Sequence, residues 1–178
     1  LLGLLQQSVK DAGGGVVKSL GDGLVCQFGA ADLAFRVACE MQFATAKLEP
    51  AGGRKLAIKV VFTWGPVLTE AGDVFGDTVN VCARLVGIAN ADQVLTTQES
   101  VDALSPNLRH RCRHLFPATV RGRVGEVDVY DVLWRADPDV TRTIDNPRYA
   151  PVPVAIPKGN LTTDGCAAHT TGLHNPAL

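Results

Sequence analysis

An amide and a guanidinium, Asn80 and Arg84, stand four residues apart just after a glycine-bearing loop: Gly72-Asp73-Val74-Phe75-Gly76-Asp77-Thr78-Val79-Asn80-Val81-Cys82-Ala83-Arg84. Four-residue spacing places both on one helix face. An amide and a guanidinium aimed together from a helix start suit an anionic ligand. Asp77 is the expected N-cap, with Thr78 opening the first turn, and Gly72 and Gly76 allow tight turns before it. Val79, Cys82, Ala83 and Val86 are expected to pack inward. On spacing alone, an ordinary amphipathic helix with a solvated polar face is the better account of the pair.

A second stretch adds chemistry. Val17-Lys18-Ser19-Leu20-Gly21-Asp22-Gly23 lies between two short apolar runs, 16–19 and 24–28, and its Asp-Gly is a strong hairpin signal. On the hairpin evidence alone Asp22 is therefore a turn former.

Together, Gly-Asp-x-Phe-Gly-Asp-x-Val-Asn-x-x-x-Arg, the Trp64-Gly65-Pro66-Val67 before it and the Lys18–Asp22 block resemble the signature of class III nucleotidyl cyclases. The resemblance covers residues 1–134. It implies an α/β (α+β) fold, a ferredoxin-like sandwich with helices packed on one central sheet. It also implies conversion of ATP to 3′,5′-cyclic AMP and pyrophosphate by attack of the ribose 3′-hydroxyl on the α-phosphate. By the same resemblance Asp22 is a metal ligand serving two divalent ions, Mg²⁺ or Mn²⁺. Arg84 contacts the α-phosphate in the transition state, Asn80 orients the ribose, and Lys18 with Asp73 reads the base. Arg121, in Val120-Arg121-Gly122-Arg123, stands where family members place a lysine on the terminal phosphates, and arginine keeps the charge with a different geometry. The family's sites lie between two antiparallel subunits, so a homodimer is implied.

The Lys18/Asp73 pair favours adenine. Adenine offers a donor at its exocyclic amine and an acceptor at N1, which an aspartate and a lysine complement, whereas guanine presents the reverse pattern on that edge. One departure matters. The family's other metal-binding aspartate lies in a Phe-x-Asp segment on a strand upstream of the first helix, and this sequence has no such segment. The reading is thus a cyclase fold with its first strand missing, and with unpaired sheet edges where that strand would run.

The remaining sequence sets the frame. A chain of 178 residues, 46% hydrophobic and 20% charged, suits one domain with a substantial core. A net charge of -1 gives no electrostatic reason to expect nucleic acid or an anionic membrane as partner. With Met41 as its sole methionine, the sequence reads as a segment of a longer protein, with no signal peptide and no apolar run long enough to span a bilayer. Five cysteines without a C-x-x-C pair favour a reduced, cytoplasmic setting. Helices are expected over 1–10, 31–48 (with Asp32 a candidate cap) and 98–104, and strands over 55–64 and 94–96. A short arm is expected over 67–72, a solvated basic strand or loop over 109–114, and a second hairpin over 118–134. Residues 135–178, punctuated by Pro138, Pro147, Pro151, Pro153, Pro157 and Pro176, read as a linker and disordered tail. Cys166, His169 and His174 in that tail make a poor case for a metal site. The leading reading is an adenylate cyclase domain. The alternative is a non-catalytic dimerisation or nucleotide-sensing module that kept the fold. A nucleic-acid-binding ferredoxin-like domain lacks the surface aromatics and basic face it would need.

Overall fold

Alternating apolar residues along Ile58, Val60 and Phe62 give the sheet one face, and Val61 gives it the other, so the strand that carries them is covered on both sides. The computed structural model describes residues 1–50, 53, 55–119 and 126–135 with their side chains, and the backbone of 165–172. The elements run α1 (Leu2–Asp11), β1 (Gly15–Leu20), β2 (Gly23–Phe28), α2 (Ala31–Ala46), β3 (Ile58–Gly65), β4 (Leu68–Glu70), β5 (Asp73–Phe75), α3 (Asp77–Ile88) and β6 (Val94–Thr97). There follow α4 (Gln98–Ala103), α5 (Pro106–Arg109), β7 (Cys112–Thr119), β8 (Glu126–Val132) and β9 (Gly165–Gly172).

A seven-stranded sheet forms in the order β1-β2-β9-β3-β6-β8-β7, with β4 and β5 as a separate hairpin. Among the described residues only β3 and β6 pair in parallel. Two apolar clusters hold the layers together. One joins α1 and α2 to the sheet through Leu5, Leu24, Phe28, Phe35, Met41 and Phe62. The other packs α3 on the opposite face through Val81, Cys82, Leu85, Leu95 and Val129. Helices therefore cover both faces of the mixed sheet.

Local expectations shift in instructive ways. Asp32 does not cap α2: the N-cap is Ala30, and Asp32 Oδ1 accepts instead from the Ser105 backbone N–H at 2.8 Å, tying α2 to the start of α5. The 67–72 arm is half of the β4–β5 hairpin, closed by Ala71 and Gly72, both with positive φ. The basic run 109–114 divides between the end of α5 and the first residues of β7. The turn between β7 and β8 lies outside the described residues.

The largest difference concerns the gap in the sheet. Where the sequence leaves out a strand, the structure has β9, drawn from the stretch read as linker and tail. It runs antiparallel to both neighbours, pairing Gly23–Phe28 on one side and Ile58–Gly65 on the other. Its presence leaves the inner edges of β2 and β3 paired. Cys166 and His169 are strand residues of β9, whereas His174 and the rest of the tail lie outside the described residues. Three thiols elsewhere are chemically quiet: burial pushes Cys26 and Cys112 up to about 12 and Cys39 up to about 11. Among the described residues no helix is long and apolar enough to cross a membrane.

Candidate active site

The β1–β2 hairpin and the β4–β5 hairpin bring together two residues 55 positions apart. Lys18 Nζ, on β1, donates to both carboxylate oxygens of Asp73 at the start of β5, at 2.7 and 2.6 Å. Both side chains remain partly open to solvent, 39% and 32% exposed. Asp73 Oδ1 also accepts from the Val74 backbone N–H at 2.8 Å. The ammonium of Lys18, and after it the Val74 amide, hold the Asp73 carboxyl below the usual carboxylate range. The pair therefore presents one donor-rich and one acceptor-rich group side by side.

That shift fixes a sign. Because the folded-state pKa of Asp73 is depressed, the pair contributes its stability above the unfolded carboxylate pKa and loses it as pH falls through the folded value. Asp73→Asn is expected to flatten this acid limb. Melting temperatures of the two proteins, followed by circular dichroism down a pH series, should converge in acid and separate slightly towards neutrality. The separation is small, because the pair is exposed.

Helix α3 carries the other two candidates, and its start differs by one residue from the sequence expectation. Gly76, with φ +129, is the N-cap, and Asp77 is the first helical residue. A φ of that value suits glycine and strains any other residue. Asp77 still places a negative charge in the first turn, where the helix dipole favours it. The inward face is Val81, Cys82, Leu85 and Val86, while Ala83, expected inside, is exposed. Asn80 and Arg84 share a side as predicted, yet with unequal depth. Asn80 is half-buried and Arg84 is only 7% exposed. A guanidinium so far from bulk water acts more strongly on a nearby anion than one on the surface would.

Asp22 sits exposed at the tip of the β1–β2 hairpin. Among the described residues no three His, Cys, Asp or Glu side chains gather to hold a metal ion. One exposed carboxylate does not fit a resident two-ion centre. Arg121 lies outside the described residues. Thr63, which the sequence reading passed over, and Thr78, read there only as opening the first turn, join β3 to the start of α3. The signal was a threonine inside the apolar run Val60-Val61-Phe62-Thr63.

Comparison with known proteins now bears on this arrangement. The family model described as the adenylate and guanylate cyclase catalytic domain matches residues 4–133. An adenylate cyclase of Glutamicibacter nicotianae is 31% identical over 125 residues, covering 67% of this chain and 28% of that protein. A dihydroxy-acid dehydratase of Leptothrix cholodnii is 42% identical over 72 residues, covering 40% of this chain and 13% of the dehydratase. The chain thus spans less than a third of the length of either relative. Among solved structures, the adenylate/guanylate cyclase/hydrolase from Silicibacter pomeroyi superposes with a TM-score of 0.62 at 26% identity, covering 73% of this chain and 77% of that one.

Proposed function

The chain belongs to the family of adenylate and guanylate cyclase catalytic domains, and from that membership we propose that it is an adenylate cyclase domain, forming 3′,5′-cyclic AMP and pyrophosphate from ATP. The observation that carries the choice of ATP is the Lys18–Asp73 pair. Lysine donates to adenine N1, and aspartate accepts from the exocyclic amine. With guanine, the carboxylate would face a carbonyl oxygen and the ammonium would face an N–H. The adenylate cyclase relative from Glutamicibacter nicotianae agrees with that choice.

In this reading Arg84 donates to the α-phosphate oxygens as negative charge builds on them, and Asn80 holds the ribose so that its 3′-hydroxyl lies in line with the phosphorus. Arg121 neutralises the terminal phosphates. By the resemblance to the family, whose sites lie between two subunits, a second copy of the chain completes the site, each protomer contributing a different part. A homodimer would then carry two composite sites.

Turnover of ATP against GTP tests the base assignment. The native chain is expected to prefer ATP. The double variant Lys18→Glu, Asp73→Asn reverses both hydrogen-bonding polarities, so the ratio of kcat/KM values should move towards GTP by on the order of 10²-fold, as expected for two mismatched polar contacts. An unchanged ratio would remove Lys18 and Asp73 from the base-reading role.

A further inference from the structure

The start of α3 is sewn to the end of β3 by hydroxyl groups. Thr63 Oγ1, on β3, donates to the Thr78 carbonyl at 2.9 Å. Thr78 Oγ1 donates back to the Pro66 carbonyl, just past the strand, also at 2.9 Å. Gly65 sits between them with φ +156, and a Cβ placed there would lie 2.6 Å from Thr78 Oγ1. Only a residue without a side chain lets the helix come this close. The other face of the strand end is braced too: the Trp64 backbone N–H donates to Ser100 Oγ at 2.8 Å, and that hydroxyl bonds Thr97 Oγ1 at 3.0 Å. Thr63, Thr97 and Ser100 are each at most 2% exposed, whereas the bond from Thr78 to the Pro66 carbonyl lies open to solvent.

A helix N-terminus ordinarily leaves its first amides without intrahelical partners and frays. The buried face of α3 is mostly aliphatic, with Arg84 also buried and one weak directional contact mid-helix, Cys82 Sγ to the Val61 carbonyl at 3.5 Å; apolar contact is non-directional and by itself leaves the rotation of the first turn loosely fixed. Directional bonds at the first turn do. Thr78 stands two residues before Asn80 and six before Arg84 in the same helix.

We propose that Thr63, Gly65 and Thr78 form a clasp that positions the first turn of α3, with Thr78 the positioning residue on which the aim of Asn80 and Arg84 depends. The clasp rests on the adenylate cyclase reading only for its effect on turnover. Its effect on α3 stands apart from that reading. Thr78→Val keeps the shape and removes the donated bond, whereas Thr78→Ser keeps the bond.

Two measurements on the full chain test it. Amide hydrogen exchange at Asn80, whose N–H donates to the Gly76 carbonyl at 3.0 Å, reports the first turn directly. In Thr78→Val this amide should exchange about tenfold faster, while core amides of β3 keep their rates. Thr78→Ser should restore native exchange. With ATP as substrate, Thr78→Val should lower kcat by on the order of 10-fold to 10²-fold with KM little changed, as expected for misplaced reacting groups, and Thr78→Ser should recover most of the loss. Native exchange at Asn80 in Thr78→Val overturns the clasp. Faster exchange with unchanged kcat overturns its positioning role in turnover. A native chain without turnover sinks the cyclase reading, and the exchange result then decides the clasp alone.

Discussion

A chain ending at residue 164 is expected to lose its cooperative fold. The segment it lacks, β9, lies between β2 and β3 and pairs with both along its length. Removing it exposes two rows of backbone N–H and C=O groups in the middle of the sheet, beneath helices on either face. Each such group left buried and unpaired costs about 1–3 kcal/mol. A handful of them exceeds the net stability of about 5–15 kcal/mol typical of a domain. The paired neighbours also lose the strand that joins the two halves of the sheet. Ala168→Pro is a gentler form of the same test, since proline removes a ladder donor and fits poorly within a central strand. Thermal unfolding by circular dichroism should show a sharp transition in the full chain, a lowered one in Ala168→Pro, and none in the truncated chain. A truncated chain that melts with the full chain would mean that the sheet closes without β9.

Arg84→Ala is expected to lower cyclase turnover by on the order of 10²-fold to 10³-fold, the usual loss when one preorganised donor to a developing anion is removed. The loss should fall on kcat, because in the proposed role Arg84 meets charge that grows only towards the transition state. The depth of Arg84, 7% exposed, magnifies the effect and also warns that the alanine variant leaves a gap in the packing of α3. Arg84→Lys separates the two contributions. It keeps the charge and most of the volume while losing the planar fork that grips two phosphate oxygens at once. A lysine variant that folds like the native chain yet turns over far more slowly places the loss in the chemistry. Equal turnover in native and lysine proteins would leave Arg84 as a packing residue.

The elements near the site were largely legible in the sequence because local rules dominated there. The Asp-Gly turn fixed the β1–β2 hairpin, and four-residue spacing placed Asn80 and Arg84 on one side of α3. What escaped had tertiary causes. The N-cap shifted from Asp77 to Gly76 because the chain needs a positive φ to turn out of β5, which capping preference alone does not reveal. Ala83 faces out and Val81 in, because which side of the helix is buried depends on how it packs on the sheet and not on residue type alone. Asp32 gave up a cap for a contact 73 residues away. β9 was the least legible. Its Gly-Cys-Ala-Ala-His-Thr-Thr-Gly sequence has weak strand character, and it becomes a strand through two edges already waiting for a partner. The Lys18–Asp73 pair came from the family resemblance, and its geometry follows from two hairpins converging.

The measurement closest to the central claim is product analysis after incubating the purified chain with ATP and Mn²⁺, at concentrations where its dimer is verified by light scattering. The account predicts 3′,5′-cyclic AMP and pyrophosphate in equal amounts, formation that scales with dimer concentration, and loss of product in Arg84→Ala. Absence of cyclic AMP from a folded, dimeric chain that still binds ATP would contradict it and leave a nucleotide-sensing module on a cyclase fold.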